Sequence, residues 1–231
     1  MADIFDRTKG LLGEDAMEKL RSAKVAVFGI GGVGGYVAEA LARSGVGALD
    51  LVDKDVVSVT NINRQIVALR STVGKDKTAV MKDRIADINP DCKVTEHKIF
   101  YLPENADCID LSAYDFVVDA IDTVSAKLEL AVRTKDMGVP FISCLGTGNK
   151  LDPTRLEIAD ISKTSVCPLA RVMRRELRAR GINHLTVLFS TEEPIKSQIV
   201  EDGKPVPASS AFVPSAAGLI IASHVVRELI K

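Results

Sequence analysis

A glycine-rich segment is the first part of the chain whose residue types and spacing could do chemistry. Five glycines fall within residues 29–35, and Gly29, Gly31 and Gly34 match the pattern G-x-G-x-x-G between an apolar run and a helical pattern. In such a turn the glycines allow a tight bend, close approach of backbone N–H groups to a phosphate, and close helix–strand packing. Asp53 lies 19 residues after Gly34, where a carboxylate can bind ribose hydroxyls. The pattern predicts a nucleotide site without choosing between NAD and ATP.

Polar residues further along the chain favour a triphosphate. Asn61 and Arg64 follow the acidic end of the second apolar run, and Lys77 opens the next helical pattern 13 residues after Arg64. Attack on the α-phosphorus of ATP builds negative charge on the phosphate oxygens and on the departing pyrophosphate, and cations stabilise that charge. Asp122, in DAIDT, suits Mg²⁺, which usually binds one or two carboxylates plus phosphate oxygens. Taken singly, each of these residues could be a solvent-exposed charge or a helix cap. Taken together, they predict a site for ATP and Mg²⁺.

Alternating apolar runs and helical patterns predict the elements that position these residues. We expect strands at 24–29, 48–52, 93–100, 115–120 and 140–145, and helices over 33–43, 78–88 and 124–137. This alternation predicts an α/β fold with a doubly wound, mainly parallel Rossmann-like sheet. Ligands of such sheets bind at the carboxyl ends of the strands, where Gly29, Asp53 and Asp122 fall.

The pattern loosens after Gly148. We expect an edge strand within 151–161, a helix over 168–181, a strand over 184–190, a loop over 200–210 and a packed terminal helix within 212–230. These elements predict an antiparallel extension of the sheet. Because no linker rich in Pro, Gly or Ser divides the chain, we expect one domain. It would comprise an ATP-binding part, residues 1–150, and a C-terminal extension, residues 151–231.

Composition excludes several classes of function. The formal net charge is −1, so no global field attracts nucleic acid or membrane. The N-terminal residues lack the pattern of a signal peptide, and the terminal apolar stretch is too short to span a bilayer, so we expect a cytoplasmic protein with no membrane partner. Cys92, Cys108, Cys144 and Cys167 form no C-x-x-C pair. We expect small buried thiols, with Cys167 the more exposed, and no zinc.

A basic helix is predicted near the C-terminus. Five arginines lie between Arg171 and Arg180, and Leu169, Val172, Met173 and Leu177 fall at helical spacing on the opposite face. The pattern fits either a solvated amphipathic helix or a patch that contacts the phosphates of an RNA stem. Sequence alone leaves both open.

Several segments together resemble the ThiF/MoeB/HesA superfamily, which is related to ubiquitin-activating enzymes and whose members adenylate carboxylates. They are GIGGVGGYVAEALARSGVG, LVDKDVVSVTNINRQ, AVMKDRIADINP with the Gly-Lys-Asp-Lys before it, and VVDAIDT. Within that group, TNINRQIVALRSTVGK, DPTR at 152–155, ISKT at 161–164 and FSTEEP at 189–194 are similar to the tRNA threonylcarbamoyladenosine dehydratases. The resemblance covers about residues 7–190. It implies an enzyme that uses ATP to cyclise the threonylcarbamoyl group of a tRNA adenosine.

The resemblance also implies roles for individual positions. The residues expected around ATP are Gly29, Gly31, Gly32 and Gly34 at the phosphates, Asp53 at the ribose, Asn61, Arg64 and Lys77 at the phosphates, and Asp122 on Mg²⁺. Arg7 matches an arginine that homodimeric members supply to the partner's ATP, with Lys9 or Arg21 as alternatives. Phe100 is a candidate for packing against adenine or, equally, for a place in the core.

Two other activities remain open at this point. A sulfur-carrier or ubiquitin-like protein adenylyltransferase would act on the C-terminal glycine of a protein, but such enzymes commonly carry two C-x-x-C pairs that this chain lacks. An NAD-binding oxidoreductase is disfavoured by Arg64, Lys77 and Asp122 together, and a non-catalytic nucleotide-binding module would be expected to lose one of the three. A sulfur-transfer partner, if one exists, is not identifiable from sequence.

Overall fold

The fold is built on one seven-stranded sheet. The computed structural model describes residues 3–198, 200–201 and 204–231. Its sheet contains β1 (Lys24–Phe28), β2 (Ala48–Val52), β3 (Lys93–His97), β4 (Phe116–Asp119), β5 (Phe141–Cys144), β6 (Leu156–Asp160) and β7 (Thr186–Ser190). The order is β3-β2-β1-β4-β5-β7-β6, all pairs being parallel except β6 with β7. The predicted doubly wound sheet with an antiparallel extension is confirmed.

Seven α-helices surround the sheet in the described residues. They are α1 (Asp6–Leu12), α2 (Glu14–Ser22), α3 (Gly34–Arg43), α4 (Lys77–Ile88), α5 (Val124–Met137), α6 (Pro168–Ala179) and α7 (Val213–Leu229). The predicted helices are all present. The two N-terminal helices were not predicted, because each is short. None of the helices within the described ranges is long and apolar enough to cross a membrane.

The alternation of side chains along the central strands explains why both faces of the sheet are covered. In β1, Val25 and Val27 pack in one core cluster with residues of α2, α3, α4 and α7, whereas Ala26 and Phe28 pack in a second cluster with residues of α5. A strand buried on both faces has a nearly continuous apolar sequence, as KVAVF does. Strands from both the 1–150 part and the 151–231 part share this sheet.

Four predictions about individual residues or segments are wrong. Cys108 is exposed because it ends a surface 3-10 helix, Pro103–Cys108, and Cys167 is buried because it packs in a cluster with α6. Val172 is 37% exposed, so the apolar face of α6 is narrower than its spacing indicated. Within 200–210, β8 (Val200–Glu201) and β9 (Lys204–Pro205) pair as a short antiparallel ladder, while residues 202–203 lie outside the described residues.

Candidate active site

A cleft of about 790 Å³ opens at the carboxyl ends of β1, β2, β4 and β5. Successive strands run outward in one direction from β1 and in the other from β4, so the cleft lies at the point where the strand order reverses. Such a switch point is where open α/β sheets bind ligands. Among the lining residues, the glycine wall is the glycine turn with Asp53, Arg64, Lys77 and Asp122, and the far wall is residues 144–148, Leu169 and residues 206–209.

The glycine turn connects β1 to α3 and is sterically closed to larger residues. Gly29 has φ +88°, and a Cβ there would lie 2.7 Å from the Ala120 carbonyl oxygen. A Cβ on Gly34 would lie 1.8 Å from the Gly29 carbonyl oxygen, so the start of α3 packs directly on the turn. At Gly31 an added Cβ would meet only the Gln65 side chain, with Nε2 at 3.8 Å. Backbone at that point is accessible to a phosphate beside the N-terminus of α3.

A methyl group at Gly34 is therefore expected to destabilise the fold. We expect Gly34→Ala to lower the free energy of unfolding by about 3 kcal/mol, because the added Cβ meets backbone that cannot move aside. Gly10→Ala is the matched control: Gly10 lies within α1 with nothing near an added Cβ, so alanine should stabilise the protein by about 0.5–1 kcal/mol. Denaturant unfolding measures both, and equal stability of the two variants would contradict the packing argument.

Lys77 is held between two acids at the start of α4. Its side chain is 7% exposed, and Nζ lies 2.8 Å from Asp55 Oδ2 and 3.9 Å from Asp53 Oδ2. Asp53 in turn accepts hydrogen bonds from the backbone N–H groups of Ile30 (2.7 Å) and Asp55 (2.8 Å). The carboxylate predicted for ribose is thus tied to the glycine turn. Asp55 was not predicted; its spacing of two residues from Asp53 at a strand end was the available signal.

Arg64 reaches the same wall from the loop between β2 and α4. Asn61 ends a 3-10 helix, Val59–Asn61, and its Oδ1 accepts a hydrogen bond from the Ser58 N–H at 3.0 Å. Arg64 Nη1 donates to the Thr60 carbonyl oxygen (3.1 Å) and to Asn63 Oδ1 (2.9 Å). A Cβ on Gly32 would lie 3.4 Å from Arg64 Cγ, so the arginine stem lies along the glycine turn. Both Asn61 and Arg64 line the cleft.

The two acids of DAIDT have different environments. Asp119 is fully buried, whereas Asp122 is exposed, lines the cleft, and accepts one hydrogen bond, from Thr123 Oγ1 at 3.3 Å. No cluster of three or more His, Cys, Asp or Glu able to hold a metal occurs among the described residues. Asp122 forms no ion pair with a described residue, and a carboxylate of this kind fits Mg²⁺, which completes its coordination with phosphate oxygens and water.

Phe100 lies at the rim of the cleft and not in the core. It is 39% exposed, and Lys54 Nζ sits 3.9 Å from the centre of its ring. The core alternative is wrong because the neighbouring Tyr101, only 2% exposed, occupies the buried position against Phe28. Burial raises the pKa of Tyr101 to about 12. The Phe100 ring remains a candidate surface for a nucleobase.

Comparison with known proteins agrees with this geometry. The sequence profile described as the ThiF family matches residues 5–231. The chain belongs to the ThiF family. It is 47% identical over 244 residues to the tRNA threonylcarbamoyladenosine dehydratase of Bacillus subtilis (strain 168), covering 100% of this chain and 96% of the relative. It is 36% identical over 248 residues to the enzyme of that name from Escherichia coli (strain K12), covering 97% and 92%.

A solved structure extends the likeness to three dimensions. The E. coli tRNA N6-threonylcarbamoyladenosine dehydratase in complex with ATP superposes with a TM-score of 0.87 at 36% identity, covering 98% of this ThiF-family chain and 93% of the other. The predicted superfamily membership is confirmed.

The far wall of the ThiF-family cleft includes one thiol, Cys144. Burial raises the pKa of this thiol to about 12, so Cys144 is protonated at neutral pH and is not an activated nucleophile. Asn149 fixes the segment that closes this wall: its N–H donates to the Ala208 carbonyl oxygen and its Oδ1 accepts from the Ala208 N–H, both at 2.7 Å. The wall presents mainly backbone and small side chains.

Two predicted site residues do not line the cleft: Gly34, which is buried against the Gly29 carbonyl group, and Arg7. Arg7 lies exposed on α1. The alternatives, Lys9 and Arg21, both form ion pairs with Glu14. Of the three cations, Arg7 is the one that forms no ion pair with a described residue.

Proposed function

We propose that this ThiF-family protein is an ATP-dependent tRNA threonylcarbamoyladenosine dehydratase. The observation that carries the proposal is the grouping of the glycine turn, Arg64, Lys77 and Asp122 in the lining of a single cleft. The full-length likeness to relatives with that name, and to one solved with ATP, supports the same substrate class.

The first step is adenylation of the threonyl carboxylate. The backbone of the glycine turn holds the phosphates, and Asp53, oriented by Ile30 and Asp55, accepts hydrogen bonds from the ribose hydroxyls. A carboxylate oxygen attacks the α-phosphorus and pyrophosphate departs, leaving an acyl-adenylate. Lys77 and Arg64 stabilise the charge that develops on the phosphate oxygens. Mg²⁺ bound by Asp122 and the phosphates would neutralise part of the same charge.

The second step is ring closure within the bound substrate. A carbamoyl nitrogen attacks the activated carbonyl carbon, AMP leaves, and the nitrogen loses its proton, so the net change is loss of water. Tethering gives this attack an effective molarity on the order of 10⁵ M or more. The enzyme needs no covalent intermediate, which agrees with the protonated Cys144 thiol.

ATP–pyrophosphate exchange with three acceptor conditions tests the proposal: tRNA carrying threonylcarbamoyladenosine, a sulfur-carrier protein, and no acceptor. We expect exchange with the tRNA only, dependent on Mg²⁺ and abolished in Asp122→Ala, together with mass-spectrometric loss of one water from the nucleoside. Exchange with the carrier protein alone would replace the proposal with sulfur-carrier adenylation.

We further propose that α6 contacts the RNA. Arg171, Arg175 and Arg178, the α6 arginine stripe, are exposed and recur at i, i+4 and i+7, so they lie along one side of the helix. Arg174 instead donates to the Thr164 carbonyl oxygen, and Arg180 to Glu176. Arg171 and Arg178 have no side-chain partner among the described residues. Leu169, near the start of α6 but on the face opposite the stripe, lines the cleft, so a tRNA whose modified nucleoside enters the cleft passes close to α6.

Removing two charges from the stripe is expected to weaken tRNA binding. We expect Arg171→Ala/Arg178→Ala to raise KM for tRNA about tenfold and to lower the slope of log K against log salt by about 2, with kcat unchanged. The matched control is Lys82→Ala/Lys93→Ala, which removes two charges at the β3 edge, opposite to α6. Equal effects of the two pairs would mean that only net charge matters.

A further inference from the structure

An ion pair lies fully buried beneath the cleft. Lys127 of α5 and Asp119 at the end of β4 have no solvent exposure, and Lys127 Nζ lies 2.9 Å from Asp119 Oδ2. Burying two charges carries a desolvation penalty that often cancels their attraction, so apolar residues of similar volume would stabilise the fold about as well. Stabilisation of the fold therefore does not by itself explain why this buried ion pair is present.

The remaining hydrogen bonds of the pair lead to both walls of the cleft. Asp119 Oδ1 accepts from the Ile121 N–H at 3.1 Å, which closes a tight turn over residues 119–121. Asp119 Oδ2 also accepts from Ser143 Oγ at 2.6 Å. Lys127 Nζ donates in addition to the Cys144 carbonyl oxygen at 2.6 Å. One carboxylate and one ammonium thus join the ends of β4 and β5 to the first turn of α5.

Each joined segment carries a part of the site. The turn after β4 packs its Ala120 carbonyl against Gly29 and leads directly to Asp122. Cys144 is the first residue of the far wall, residues 144–148. The pair therefore joins the turn that leads to Asp122 with the strand end from which residues 144–148 begin.

We propose that Lys127 and Asp119 form a positioning pair, which aligns Asp122 and the triphosphate with the substrate carboxylate bound against residues 144–148. The inference rests on the proposed function for the identity of the reacting groups. In-line attack on phosphorus requires the reacting atoms to be held within about 3–3.5 Å, and a displacement of about 1 Å costs on the order of 10²-fold in rate. Loss of the pair should therefore lower kcat and raise the Mg²⁺ concentration at which ATP binding is enhanced, without loss of the fold.

The decisive variant is Asp119→Asn/Lys127→Met, which removes both charges and keeps an acceptor for the Ile121 N–H. We expect its melting temperature to stay close to that of the wild type. We expect kcat for tRNA-dependent exchange to fall about tenfold or more. By calorimetry with a non-hydrolysable ATP analogue, we expect metal-free affinity to be unchanged and the Mg²⁺ concentration for half-maximal enhancement to rise severalfold.

Lys135→Met is the matched control. Lys135 lies on the same helix, and its ammonium donates to the Gly181 carbonyl oxygen at the surface, so all three measurements should match the wild type. A folded double variant with wild-type kcat and wild-type Mg²⁺ response would overturn the proposal. Should the double variant not fold, Lys127→Arg decides: the planar guanidinium keeps the charge but not the ammonium geometry. A lower kcat with a raised Mg²⁺ requirement supports positioning, and wild-type values overturn it.

Failure of the proposed function would look different. In that case the wild type itself would show no exchange with modified tRNA, while the calorimetric comparison of the wild type, the double variant and Lys135→Met would still report whether the pair positions Asp122.

Discussion

Lys77→Ala is expected to slow tRNA-dependent pyrophosphate exchange by about 10²–10³-fold while the protein stays folded. The Lys77 ammonium is nearly buried in the glycine wall of the cleft, and alanine leaves Asp53 and Asp55 without their cation. Charge that develops on the phosphate oxygens would then face two uncompensated carboxylates. Arg64→Ala should give a loss of similar size, since the guanidinium lies along the same glycine turn. Measuring the exchange rate at saturating ATP separates a loss of phosphate stabilisation from weaker ATP binding.

Lys75→Ala provides the control for Lys77. Lys75 lies two residues earlier and is exposed, and its ammonium forms no hydrogen bond or ion pair with a described residue, so the substitution removes the same charge from the same segment. The exchange rate of the Lys75→Ala enzyme should stay within about threefold of the wild-type rate. A Lys77→Ala enzyme that is as active as the Lys75→Ala enzyme would refute the role of Lys77 in stabilising the reacting phosphates.

Mixing an inactive Arg7→Ala chain with an inactive Lys77→Ala chain is expected to restore about a quarter of wild-type activity. The prediction follows from the exposed position of Arg7, which is absent from the cleft of its own chain. In a C2 homodimer with free exchange of subunits, half of the dimers are mixed, and one of their two sites then has both an intact Lys77 and a partner's Arg7. Exchange activity after co-refolding of equal amounts measures the recovery.

The pair Arg64→Ala and Lys77→Ala is the control for this experiment. Both residues belong to the same cleft of the same chain, so every site in a mixed dimer lacks one of them and no activity should return. If the Arg7→Ala mixture also stays inactive, or if Arg7→Ala alone is fully active, the prediction that Arg7 acts on the partner's ATP is wrong.

The order of elements was predictable because it depends on local patterns. The strand Ala48–Val52 and the helix Val124–Met137 were predicted with the bounds that the structure shows, and the glycine turn was placed between β1 and α3. Strand ends carry the site residues, and parallel strands bring their carboxyl ends to one edge. The prediction that Gly29, Asp53 and Asp122 fall near one another followed from topology alone.

Contacts between segments that are far apart in the chain could not be predicted from local sequence patterns. In sequence, Lys127 resembles any lysine in an amphipathic helix, and the two acids of DAIDT are equivalent; only the packing of α5 under β4 and β5 buries Lys127 and Asp119 and leaves Asp122 free. The pairing of Lys77 with Asp55, 22 residues earlier, depends in the same way on where α4 begins relative to β2.

The amino-acid sequence by itself determined the periodicity of strands and helices, the glycine turn and hence the family of nucleotide sites, because these depend on residues close together in the chain. Tertiary structure alone decided which charges are buried, which face the cleft, and that Arg7 lies outside it. Burial and charge pairing depend on contacts between segments that come together only when the sheet has formed. Local sequence patterns do not specify those contacts.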